Sequence, residues 1–113
     1  MQCTEAIAFE AAAALENYEA HLLSIHRLGG RPRNVATFQK ELSRVRSCCL
    51  RLPQLSGASV ALLLAHHKLL AELARGDGDK SLALRAAELQ KVEKCVVTLQ
   101  RACRELFLAR HLH

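Results

Sequence analysis

The sequence predicts an all-α fold, an antiparallel up-down-up-down four-helix bundle in which the first and last helices are the longer pair. Three observations carry that expectation. Apolar residues recur at alternating steps of three and four, as in Val35, Phe38, Leu42, Val45, Cys49, Leu52 and again in Leu89, Val92, Val96, Leu99, Cys103, Leu106. Steps averaging 3.5 residues draw a narrow seam along one side of a helix, the pattern by which helices pack on helices. Half of the 113 residues are hydrophobic, yet only four are aromatic (Phe9, Tyr18, Phe38, Phe107), so the bulk comes from Leu and Ala, both strong helix formers. Glycine or proline interrupts the chain near residues 29–33, at Pro53 and at 76–79, and connections of roughly four to six residues usually join antiparallel neighbours. The same pattern would also allow three helices folded together with one held by another chain. A chain of this length forms one domain, 1–113, with a single core.

Helix one is expected over 4–28. Thr4 stands where a hydroxyl caps the free amides of a first turn, and Glu5 suits the positive end of the helix dipole. Its seam is Ala8, Ala11, Leu15, Tyr18, Leu22 and Ile25, and Gly29-Gly30 ends it, since glycine takes the left-handed C-terminal conformation without steric cost. Helix two is expected over 35–52, entered through Asn34 as cap and stopped by Pro53. Helix three is expected over 57–75, after a polar turn at 53–56, with Ser56 or Ser59 as its cap. Leu62, Leu63, Leu64, Leu69, Leu70 and Leu73 surround most of its circumference, which makes it the helix expected to be most enclosed. Helix four follows the Gly76-Asp77-Gly78-Asp79 breaker over 82–110, with Asp79 or Ser81 as cap. At 1.5 Å per residue the four helices reach roughly 37, 27, 27 and 43 Å. The excess length of helices one and four then emerges at one end of the bundle, beside the Pro53 turn.

Five cysteines (Cys3, Cys48, Cys49, Cys95, Cys103) are an odd set with several on or near apolar seams, and are expected to be reduced thiols acting as small hydrophobes. The N-terminal segment lacks a basic n-region and carries Glu5 and Glu10 where a signal peptide needs its apolar run. No 18-residue apolar run is present, so no membrane association is expected, and the compartment is cytoplasm or nucleus.

Chemistry is sparsely provided for. Six histidines accompany the cysteines, but neither Cys-x-x-Cys, His-x-x-x-His nor Glu-x-x-His occurs, and the adjacent pairs Cys48-Cys49 and His66-His67 point about 100° apart on a helix. No metal or other cofactor is expected. His67 is expected as a partly buried seam residue with His66 nearer solvent. A nucleophile and base assembled from Cys49 and His66 or His67 is the only enzyme reading the residues offer, and the expectation is that the chain is not an enzyme.

Binding is the expected role. Leu106, Phe107, Leu108 and Leu112 spread apolar side chains around the end of helix four, and Ile7 and Phe9 occupy the matching end of helix one. A bundle end cannot bury all of these, so they are the expected surface for a protein partner, in a homo- or hetero-oligomer. The alternative is a nucleic-acid accessory role. The net charge is +5, and Arg31 and Arg33 of the first loop with Lys40, Arg44 and Arg51 of helix two form a candidate basic face. No aromatic is interleaved for base stacking, which leaves that face more simply explained as solvated.

Overall fold

In the computed structural model, which describes residues 3–27, 35–75 and 79–111, the chain is a four-helix bundle without a strand among those residues. The helices are α1 (Thr4–Arg27), α2 (Val35–Cys49), α3 (Pro53–Ala74) and α4 (Asp79–His111). The helix backbones approach closely α1 to α2, α2 to α3, α3 to α4 and α4 back to α1, and not across either diagonal, so the helices stand at the corners of a square in up-down-up-down order. No helix of the described residues is long and apolar enough to cross a membrane.

The seams face inward as the spacing requires. Ala8, Ala11, Leu15, Tyr18, Leu22 and Ile25 of α1 are all buried, as are Phe38, Leu42, Val45 and Cys49 of α2 and Leu89, Val92, Val96, Leu99 and Cys103 of α4. Val35 and Leu106 depart from the pattern: Val35 is exposed, and Leu106 is half-buried. The α4 seam also extends one turn toward its N-terminus through Arg85, a buried arginine four residues before Leu89.

Helix boundaries differ from expectation at four places. The cap of α1 is Cys3, whose carbonyl accepts the Ile7 N–H at 3.1 Å and whose Sγ accepts the Ala6 N–H at 3.4 Å, while Thr4 is already helical. Helix α2 ends at Cys49, and its last amides tighten to i→i−3 bonds, Arg51 N–H to Cys48 O and Leu52 N–H to Cys49 O, both 3.2 Å. Pro53 does more than stop α2. It is the first residue of α3, where its missing N–H would have no partner anyway and its fixed φ suits the helix. Leu52 before it is extended (φ −128°, ψ 115°), as a residue preceding proline prefers. The connection therefore shrinks to 50–52, and Ser56 and Ser59 lie inside α3, where Ser56 Oγ donates to Pro53 O (3.1 Å) and Ser59 Oγ to Ser56 O (2.8 Å). Helix α4 starts at Asp79, one turn before the expected 82. The breakers at 28–34 and 76–78, with the Asn34 cap, lie outside the described residues.

With 24, 15, 22 and 33 residues, the helices reach about 36, 22, 33 and 50 Å. Helix α4 thus spans the molecule, whose longest dimension is 53 Å. Arg51, in the α2–α3 turn, bonds Glu10, and Cys49 lies close enough to Cys103 for the two thiols to interact electrostatically. The first turn of α1 and the residues of α4 after Cys103 therefore lie at and beyond the level of that turn.

Helix α3 is not the enclosed helix. Its buried stripe is Leu55, Ser59, Leu62, His66 and Leu69, while Leu64 is 58% exposed and Val60 is also exposed. Six leucines around a helix cannot all face one square core: Leu62 and Leu69 enter it, Leu63, Leu70 and Leu73 are partly buried against it, and Leu64 is left outside.

Candidate functional site

The polar centre of the molecule is a hydrogen bond between α1 and α3. Tyr18 Oη lies 2.8 Å from His66 Nδ1, and neither side chain has measurable exposure. The assignment of the two histidines is the reverse of expectation: His66 is the seam residue and His67 is exposed. His66 falls on the stripe Leu55, Ser59, Leu62, His66, Leu69, whose steps of four and three could have been followed in the sequence, and His67 lies about 100° further round. Phe38 of α2 completes the cluster, stacked on Tyr18 (4.9 Å between centroids) and 4.5 Å from the His66 ring. His21 is also stacked on Phe38, at 5.1 Å, and pairs with Glu41, its Nδ1 3.3 Å from Oε2 but not aligned as a hydrogen bond.

Burial sets the protonation of this centre. It lowers the His66 pKa to about 4, with His67 adding in the same direction, so His66 is neutral near pH 7. Burial, followed by Cys95 and Glu41, pushes the Tyr18 phenol well above its ordinary value, so it stays protonated. The described residues offer the phenol proton no other acceptor, so Tyr18 donates to Nδ1. His66 then carries its own proton on Nε2. That Nε2 is buried and has no hydrogen-bond partner among the described residues.

His66 also lines a cleft of about 400 Å³ between α2 and α3, the least extensive of the four helix seams. Its polar lining is Gln39, Ser43, Arg46 and Ser47 from α2 with His66 and His67 from α3, and Leu42, Leu50 and Leu63 supply the apolar part. The α2 members recur at steps of three and four and so share a helix face. Arg46 is half-buried, and its Nε is a second buried donor without a partner among the described residues. Leaving a buried donor unpaired costs about 1–3 kcal/mol, and more when the group is charged. The sequence reading missed this cleft, because no motif or spacing distinguishes Arg46 from the other basic residues of helix two.

A second groove, about 390 Å³, lies between α1 and α4 at the Cys103 level. Ala8, Phe9 and Ala12 form its α1 wall and Cys103 and Phe107 its α4 wall, with Glu16 and Glu19 on one rim and Arg104 on the other. The six residues expected as a partner surface separate here. Ile7 is not available, because it is buried in the core, and Leu106 packs against that core. Phe107 is half-buried in the groove wall. Phe9 and Leu108 stand out, 67% and 47% exposed. Leu112 lies outside the described residues.

Lys40 and Arg44 are exposed on α2, but Arg51 belongs to the turn rather than the helix and bonds the Glu10 carboxylate, which raises its pKa. Arg31 and Arg33 lie outside the described residues.

Cys48, Cys49 and Cys103 are buried free thiols. Burial pushes Cys49 up to about 12, with Cys103 and Cys48 adding and Arg46 opposing, and pushes Cys103 up to about 11, with Cys48 adding. A thiol held protonated is a poor nucleophile. Among the described residues no group of three or more His, Cys, Asp or Glu is placed to hold a metal ion. Compared with protein-family models, curated proteins and solved structures, the chain matches none of them.

Proposed function

We propose that this chain is a non-catalytic helical interaction module, a small subunit or adaptor of a complex in the cytoplasm or nucleus, which receives a helix of a protein partner in the α1–α4 groove. The observation that carries the reading is Phe9, a large aromatic two-thirds exposed at the edge of a concave, mostly apolar surface. Covering a phenylalanine of this kind contributes about 1.5–3 kcal/mol, and aromatic anchors of interfaces sit in such settings. Leu108 extends the surface toward the end of α4, and exposed Val97, roughly three turns back, lies on the same helix face. The rims define the partner's chemistry. An amphipathic helix with an apolar stripe, basic residues toward Glu16 and Glu19, and an acidic residue toward Arg104 complements them.

The test is the double variant Phe9→Ala with Leu108→Ala. Both side chains are exposed, so the melting temperature should stay close to wild type, while self-association by analytical ultracentrifugation, or the complex recovered by affinity purification and mass spectrometry, is lost. A variant that keeps its oligomeric state and every partner recovered with the wild type would show that the groove is not the contact surface.

A further inference from the structure

The α2–α3 cleft is built for something the four helices do not supply. Two residues of its lining each carry a buried N–H donor: the His66 Nε2–H, whose tautomer Tyr18 dictates, and the Arg46 Nε–H. Neither has an acceptor among the described residues, and the lining holds no Asp or Glu to balance the guanidinium. Ser43 and Ser47 beside them can turn their hydroxyls to donate as well. From this geometry we propose that the cleft binds a small monocarboxylate, its oxygens accepting from Arg46 and His66 and its hydrocarbon part lying against Leu42, Leu50 and Leu63.

Three features select that chemistry. A guanidinium presents Nε–H and a neighbouring Nη–H as a planar fork that matches the two oxygens of a carboxylate. The charge count favours a monoanion. Arg46 is the one arginine or lysine of the lining and His66 is neutral and serves as a donor only, so a phosphate dianion would exceed the permanent charge available to it. The cleft's size falls within the ordinary range of small-ligand sites, and a third of its lining residues are leucines, which suits an acid carrying a short aliphatic or aromatic tail. Such a carboxylate exists either as a free organic acid or at the C-terminus of another polypeptide, and the donors would treat the two alike.

The full-length chain is titrated with sodium hexanoate while the Arg46 Nε–H and the His66 ring nitrogens are followed by ¹⁵N-resolved NMR. Expected are a His66 ring already protonated on Nε2 before any ligand is added, and saturable shifts of both groups. Hexanamide and hexyl phosphate should bind at least about tenfold more weakly, because the first lacks the charge and the second carries too much. Arg46→Gln should weaken hexanoate to the same degree, and Arg46→Lys, which keeps the charge and loses the fork, should fall between. A parallel titration with a short apolar peptide, as free acid and as C-terminal amide, identifies the source. A free-acid peptide tighter than hexanoate indicates a polypeptide C-terminus, and hexanoate tighter than the peptide indicates a free acid. Should Arg46→Gln lose its fold, the wild-type resonances still decide. The proposal is overturned if hexanoate leaves the Arg46 and His66 signals unmoved, if the amide or phosphate binds as well, or if a folded Arg46→Gln protein binds hexanoate like wild type.

Discussion

Acidification from pH 7.5 to 4.5 should remove about 2–3 kcal/mol of stability through His66 alone. Its pKa falls from 6.5 in the unfolded chain to about 4 in the native bundle, because the ring lies wholly inside the α1–α2–α3 junction against Tyr18 and Phe38. Above pH 6.5 both states hold the ring neutral and no penalty exists. Between pH 6.5 and 4 the unfolded state takes up a proton that the native state refuses, so stability falls by about 1.4 kcal/mol per pH unit, levelling off below pH 4. Carboxylates titrate in the same window, so the measurement is a difference. Urea unfolding at several pH values is compared between wild type and the double variant Tyr18→Phe with His66→Leu. That variant removes donor and acceptor together, which avoids stranding either in the core. Glu41, His21 and His67, which lie around the site, are present in both proteins. The gap between the two stability curves should change by about 2–3 kcal/mol over this pH range. A gap that changes by less than about 0.5 kcal/mol would mean that His66 is solvated or charged in the native state. The Tyr18 hydrogen bond would then not be the lock on its tautomer.

Leu42→Ala and Leu99→Ala, at buried seam positions of α2 and α4, should each cost about 2–5 kcal/mol in chemical denaturation, and losses under about 0.5 kcal/mol at both would mean the seams face outward. Cys49 and Cys103 should alkylate far more slowly than exposed Cys3 in the native protein, and fast labelling of Cys49 followed by mass spectrometry would reopen a nucleophilic role for it. Reversing the exposed charges of Lys40 and Arg44 should leave both the melting temperature and nonspecific DNA or RNA binding across a salt series unchanged; a salt-steep affinity abolished by the reversal would restore the basic face as a functional surface.

What the sequence determined by itself is the periodic part of the molecule. The 3–4 steps of α1, α2 and α4 specify which side of each helix is buried, because one face of a helix repeats at that interval whatever it packs against. The breaker positions specify the helix count and hence the antiparallel order. The long first and last helices place Phe9 and Phe107 near one end together. Tertiary structure decided what depends on a choice among competing faces. Leucine alone could not orient α3, since its leucines lie all round the axis, and packing in a square core selected the stripe through Ser59 and His66. Ile7 and Phe9 stand two residues apart in the same turn, yet one enters the core and the other meets solvent, because their directions differ by about 200° on the helix. Pro53 illustrates the same limit, since both a helix end and a helix start are compatible with its ring, and the buried positions of Leu52 and Leu55 fix α3 in the latter. The α2–α3 cleft has no periodic signature at all. Its lining joins His66, bonded to Tyr18 forty-eight residues away, with Arg46 of a third helix. Such meetings of separate helices are set by the packing of the whole bundle.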